Sequence, residues 1–246
     1  MPEDTVEGRN AVGELLASGR RVIRMFVLGG ARNGDPLDVL RSTARAKGVR
    51  IDAASRKELD RMSERGAHQG VIALVEAFTY TKLEDVIDDA VEEPSSLVIV
   101  LDHVNDPGNL GAVVRTAEVV GAAAVIIPKD RAAAMTPSAL KAAAGAAEHL
   151  PICRESNIAQ SLSLLKQAGY WVVGASEKAN TDAWDAPLEG RIALVMGAEG
   201  SGLARLTERE CDLLVRLPVR GRVSSLNVSA ATAVLAYEWL RRTVAS

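Results

Sequence analysis

Five short runs of apolar residues constrain this chain most: Leu97–Leu101, Ala124–Ile127, Trp171–Gly174, Ile192–Met196 and Leu213–Leu217. A strand with one face in water alternates apolar and polar residues. A strand that is apolar throughout is buried on both faces, as in a parallel sheet covered by helices. Helical segments are expected between most of these runs, at 110–120, 137–147 and 157–168. Thr207-Glu-Arg-Glu210 reads as a helix-starting capping box. A last helix runs from about Val228 to Arg242, with the cations Arg241 and Arg242 at the end its dipole favours. Residues 95–246 are therefore expected to form an α/β domain around a parallel sheet.

Residues 1–78 read as a smaller α/β unit. A helix at Gly8–Ala17 carries Val12, Leu15 and Leu16 on one face. Strands are expected at Val22–Leu28, Val49–Ala53 and Gly70–Ala77. Asp35-Pro36 opens a helix that Gly48 can end. Ser55-Arg-Lys-Glu58 is a capping box, and Gly66 can stop the helix it starts. Residues 79–94 are expected to be an acidic linker with one helical stretch, Leu83–Val91, apolar at Val86, Ile87 and Ala90.

The net charge of −3 is unevenly distributed. Residues 1–80 carry +2, residues 81–94 carry −5, and residues 95–246 balance. Outside one acidic segment the surface is thus neutral to slightly basic, which permits RNA binding through local patches. Arg20, Arg21 and Arg24 are one candidate phosphate-contacting patch, against the plainer reading of a solvated charged surface. With aromatic content at 3%, a base-stacking platform is not expected. No run approaches the ~18 apolar residues of a membrane span, and Met1–Thr5 lacks the basic and apolar regions of a secretory signal. Cys153 and Cys211 read as reduced thiols of a cytoplasmic protein. The three histidines form no metal cluster, and no metal is expected.

Three polar, glycine-bearing segments follow apolar runs in the C-terminal half: Asn109-Leu-Gly-Ala-Val-Val-Arg115, Met196-Gly-Ala-Glu-Gly-Ser-Gly202 and Ser224-Ser-Leu-Asn-Val-Ser229. Asp106-Pro-Gly-Asn109 reads as a turn, with Asn109 capping a helix from Leu110. Leu110, Val113, Val114, Ala117 and Val120 form the apolar stripe of that helix, and Arg115 lies off it. Gly197–Gly202 is a loop at a strand's carboxyl end, the usual ligand position in parallel sheets. Its G-x-x-G-x-G spacing differs from the dinucleotide-binding G-x-G-x-x-G. Each segment alone is compatible with a cap or a polar turn.

In this order the three segments resemble the motifs of the SpoU (TrmH-like) RNA ribose 2'-O-methyltransferases of the SPOUT superfamily. Pro128-Lys-Asp-Arg131, Gly145-Ala-Ala-Glu148 and Ala67-His-Gln-Gly70 extend the likeness to the whole chain, and most closely to members that methylate a guanosine of 23S rRNA. The resemblance implies an N-terminal domain similar to ribosomal protein L30e that grips RNA. It implies a C-terminal α/β domain with a deep trefoil knot, a topology that general rules exclude by default. It also implies a homodimer with the site at the subunit interface. S-adenosyl-L-methionine would lie in the knot, held by backbone groups near Gly197, Leu217 and Leu226. Asn109, Arg115, Glu199 and Asn227 would be the polar site residues, with Arg115 contributed by the partner subunit.

The implied reaction is attack of a ribose 2'-hydroxyl on the sulfonium methyl. A hydroxyl is a poor nucleophile until its proton is removed or its developing charge stabilised. An arginine is a reluctant base, so Arg115 is expected to orient the ribose and stabilise the alkoxide, accepting the proton only if the site depresses its pKa. Asn109 and Glu199 would fix Arg115 and the RNA, and Asn227 would shape the cofactor loop. His68 and Gln69 either contact RNA or hydrogen-bond the turn before a strand. His103 and His149 read as local structural residues. A tRNA or another rRNA nucleotide is the alternative substrate. A non-catalytic RNA-binding protein and a nucleotide-dependent oxidoreductase built on Gly197–Gly202 are the readings of other classes.

Overall fold

The computed structural model describes residues 3–17, 21–29, 36–63, 66–90, 92–223 and 225–244. The chain divides into two compact units, Met1–Thr79 and Tyr80–Ser246.

The first unit is built from β1 (Glu3–Glu7), α1 (Arg9–Ala17), β2 (Val22–Leu28), α2 (Pro36–Ala46), β3 (Arg50–Ala54), α3 (Arg56–Met62) and β4 (Val71–Glu76). Its sheet has the order β1-β4-β2-β3. β4 runs antiparallel to both neighbours, and β2 and β3 are parallel. Alternation along β4 divides the core. Val71, Ala73 and Val75 pack with Val12, Leu15 and Leu16 of α1 and Leu37 and Ala44 of α2. Ile72 points the other way, to Ala54 and Leu59.

Three sequence expectations change here. β1 is a fourth strand; Val6 is buried and its other residues are polar, so this edge strand gave no apolar signal. The Ser55–Glu58 capping box forms, but α3 ends at Met62 with Ser63 as its C-cap, ahead of Gly66. Arg24 pairs with Asp52 and lies over the Phe26 ring, so it is not a free member of a phosphate patch. Arg20 and the expected cap Asp35 lie outside the described residues.

The second unit begins with α4 (Leu83–Asp89), the helical stretch of the segment read as a linker. Leu83 and Val86 are buried in this unit's core beside Val98, Val100, Ala124 and Leu162. There follow β5 (Ser96–Asp102), α5 (Pro107–Val119), β6 (Ala124–Pro128), α6 (Pro137–Ala143), β7 (Ile152–Glu155), α7 (Ile158–Gln167), β8 (Trp171–Ala175), β9 (Thr181–Asp182), β10 (Arg191–Gly197), α8 (Arg205–Glu210), β11 (Leu213–Arg216) and α9 (Val228–Val244). The sheet order is β7-β6-β5-β10-β8-β11-β9, with every pairing parallel. The central strand β5 is buried at all seven positions, as its apolar run requires.

Capping chemistry corrects two boundaries. α5 starts at Pro107, and its cap is Asp106, whose side chain accepts a 2.8 Å bond from the Asn109 amide. Proline suits the first helical position because no partner is needed for its missing N–H. Asn109 is therefore inside the first turn, and its side chain is released from capping. Thr207 opens no capping box: α8 starts at Arg205, and Thr207 is buried within it.

Candidate active site

In parallel sheets ligands gather where strands end at their carboxyl termini. β5 and β10 are neighbours that end together, Asp102 opposite Gly197. Asp102 is fully buried, with one oxygen 2.5 Å from His103 Nδ1 and the other accepting from the Ala204 amide at 2.6 Å. It thus clamps the far end of the 197–204 loop to β5. Sequence reading missed this role, although an aspartate closing an apolar run was a usable signal.

The loop folds back on itself. Ala198 N donates to Gly202 O at 3.1 Å and Gly202 N to Ala198 O at 2.9 Å. Gly197 lies against the returning strand of the loop, where an added Cβ would sit 2.5 Å from Gly202 O and 2.6 Å from Leu203 N. This closure presents Glu199 at the tip.

Three of the four expected polar residues meet there. Glu199 Oε1 accepts from Asn227 Nδ2 at 2.7 Å, from Asn109 Nδ2 at 3.2 Å and from the Val228 amide at 3.3 Å. Asn227 Nδ2 also donates to Asn109 Oδ1 at 2.9 Å. Asn227 Oδ1 accepts from the Ser229 amide at 2.9 Å and the Ala230 amide at 3.4 Å, capping α9. One side chain therefore starts α9 and ties together segments 118 residues apart. A carboxylate at the N-terminus of a 17-residue helix is also favoured by the helix dipole.

Arg115 is not part of this cluster. It lies six residues beyond Asn109 on α5, which on a helix is about 9 Å along the axis and about 120° round it. It is exposed and makes no hydrogen bond or ion pair with any described residue.

Of the residues expected to hold a cofactor, Gly197 and Leu226 are near the cluster in sequence, and Leu217 follows a strand that ends at the same carboxyl edge of the sheet. Gly197 ends β10, Leu217 follows β11, and Leu226 precedes Asn227. The main-chain groups of 217–223 and of Leu226 make no hydrogen bond with described residues, and Val219, Val223 and Leu226 hold apolar side chains in solvent. Open backbone donors and acceptors beside apolar side chains suit a nucleoside. Ser224 lies outside the described residues. Among the described residues no group of three or more His, Cys, Asp or Glu side chains is placed to hold a metal ion, and no helix is long and apolar enough to cross a membrane.

Comparison with known proteins covers the whole chain. The family model described as the SpoU rRNA Methylase family matches residues 96–237. The one described as RNA 2'-O ribose methyltransferase substrate binding matches residues 5–81. YacO of Bacillus subtilis, a TrmH-family protein, is 40% identical over 97% of this chain and 96% of its own length. The 23S rRNA (guanosine-2'-O-)-methyltransferase RlmB of Photobacterium profundum is 43% identical over 98% of this chain and 99% of its own. The AdoMet-bound rRNA methyltransferase of Sinorhizobium meliloti superposes with a TM-score of 0.62 at 25% identity, covering 98% of this chain and 87% of that one. A family match across the unit that joins Asn109, Glu199 and Asn227, with full-length relatives at 40% identity or more, places the chain in the SpoU rRNA methylase family.

Proposed function

We propose that this chain methylates the ribose 2'-oxygen of a guanosine in 23S rRNA, as a homodimer whose site spans two subunits, in the cytoplasm. It is an S-adenosylmethionine-dependent RNA 2'-O-ribose methyltransferase. The observation that carries the reading is the Asn109–Glu199–Asn227 cluster, together with the open backbone of 217–223 and of Leu226. The substrate choice rests on RlmB relatives aligned end to end, including the N-terminal unit.

S-adenosylmethionine supplies an electrophilic methyl group when bound. Gly197, Leu217 and Leu226 would hold it through main-chain groups, and the exposed Leu226 side chain would cover its apolar parts. Glu199 fixes both asparagine amides, so the cluster presents a preset array to the ribose and base. Holding the reactants in place is itself a large part of such catalysis.

Arg115 completes the site from a second subunit. On α5 it shares a face with Val119, 58% exposed, and α5 packs against α9, which exposes Val234 at 37%, Tyr237 at 50% and Val244 at 78%. Apolar side chains at this helical spacing, without cover among the described residues, suit a subunit interface. Burying that face against a second copy carries an unpaired guanidinium toward the other copy's cluster. There it orients the ribose and stabilises the developing alkoxide.

The test is transfer of labelled methyl from S-adenosylmethionine to deproteinised 23S rRNA and, in parallel, to bulk tRNA, with the modified ribose mapped. Labelling of one guanosine in 23S rRNA is expected. Labelling of tRNA alone would overturn the substrate assignment, and labelling of neither would overturn the reaction on free RNA.

A further inference from the structure

We propose that a cleft of about 600 Å³ in the first unit binds one unpaired nucleotide of the RNA, with phosphate between Arg9 and Arg56 and a base edge on the Gln69 amide. The inference rests on the RNA-methylating reading and adds a site to it. The cleft is lined by Leu28, Asp60 and the turn 66–70 as well as by these three side chains.

The turn is fixed from two sides. His68 is buried, and its Nδ1 accepts from the Gly70 amide at 3.0 Å. Its Nε2 must then carry the hydrogen, donated to Asp60 Oδ1 at 2.9 Å. Gln69 is held at φ +48, a left-handed conformation that non-glycine residues rarely adopt outside sites that need it. Its Oε1 accepts from the Arg9 amide at 3.1 Å, and its main-chain oxygen accepts from Arg9 Nε at 3.1 Å.

The side-chain donors left open in the cleft belong to Gln69, Arg9 and Arg56. With Oε1 engaged, Gln69 Nε2 has two donor hydrogens and no partner among the described residues. The terminal nitrogens of Arg9 are in the same position, and Arg56 makes no hydrogen bond or ion pair with them. Asp60 is already engaged by His68, so two guanidinium groups face the cleft against one carboxylate. Paired donors with cationic excess recognise phosphate oxygens. A fixed amide donor recognises a base acceptor, and Leu28 gives the base an apolar wall. The cleft has the size of a small-ligand site, and RNA is read in sequence mainly through such splayed, unpaired nucleotides.

The experiment uses the full chain and two variants. Gln69→Glu keeps Oε1 for the Arg9 amide and replaces the donor with a second acceptor. Arg56→Ala removes a cation that nothing described depends on. Kinetics are measured on deproteinised 23S rRNA, binding on a labelled single-stranded RNA decamer, and cofactor affinity and thermal midpoint as controls. Each variant is expected to raise KM for RNA roughly tenfold while kcat, cofactor affinity and midpoint hold, and Arg56→Ala to lower the slope of log affinity against log salt by about 1. Wild-type KM and salt slope in both variants would overturn the site. So would variants that act normally on free rRNA and fail only on ribosomal particles, which would assign the cleft to a protein partner. A wild-type chain that methylates nothing, yet binds the decamer in a variant-sensitive way, would keep the site and remove the reaction. Wild type that neither methylates RNA nor binds the decamer would overturn both.

Discussion

Replacing Gly197 by alanine isolates the loop closure that the site depends on. The added Cβ would lie 2.5 Å from Gly202 O and 2.6 Å from Leu203 N, and also against Gly202 C. Ordinary contact begins near 3.4 Å, so the backbone of 202–203 must retreat by about 1 Å. No side chain can swing aside to absorb that shift. The two bonds between Ala198 and Gly202 are worth about 0.5–1.5 kcal/mol each, and overpacking costs about 1–3 kcal/mol. A total of about 2–6 kcal/mol would lower the thermal midpoint by roughly 4–24 °C for a domain of this size. Because Glu199 rides on the loop, methyl transfer should fall about 100-fold or more, with weaker cofactor binding by calorimetry. Gly200→Ala is the control in the same loop. There φ is +82 but a Cβ meets nothing within 4 Å, so the cost is conformational, about 1–2 kcal/mol, without a clash. Its activity should drop less than tenfold. Wild-type melting and cofactor affinity in Gly197→Ala, or equal activity losses in the two variants, would refute the steric argument.

The other expectations concern stability and thiol chemistry. Arg241 and Arg242 hold the Glu238 carboxyl down at about 2 through paired hydrogen bonds on α9. The pair therefore stabilises the fold above the ordinary carboxylate value near 4.3 and loses its effect as pH falls toward 2. Glu238→Gln should cost about 1–2 kcal/mol in urea unfolding at pH 7, after allowance for the exposed Arg241, and a gap that persists undiminished near pH 2 would contradict the assignment. Burial pushes the Cys153 and Cys211 thiols up to about 12. Both should resist a disulfide-exchange reagent at pH 8 in the native protein and react in guanidinium; rapid native labelling would count against that burial.

Much of this fold was legible because the apolar runs at 97–101, 124–127, 171–174 and 192–196 admit few alternatives to buried parallel strands. Short or polar strands were not legible. Ile152–Glu155 and the two-residue β9 have too little pattern to register, and β1 is polar on an edge. The start of α5 was readable in principle, since Asp106-Pro107 is the stronger cap signal and Asn109 drew attention for its motif. That shift matters chemically, because an asparagine occupied with capping could not join Glu199 and Asn227. The meeting of these three residues follows from pairing β5 with β10 and seating α9 beside α5, which local pattern does not encode. The Arg115 position marks the same limit: spacing shows that it leaves the Asn109 face, and the role proposed for it rests on a second subunit.

Mixed dimers test that composite site most directly. Arg115→Ala and Glu199→Ala chains, each folded by thermal melting and each inactive, are coexpressed at equal levels and assayed for methyl transfer to 23S rRNA. Random pairing makes half the dimers mixed, and in each of these one site combines an intact cluster with an intact partner arginine. Activity near a quarter of wild type is therefore expected. Activity no greater than that of the two variants alone would place Arg115 and the Asn109–Glu199–Asn227 cluster in the same subunit's site and would contradict the shared active site.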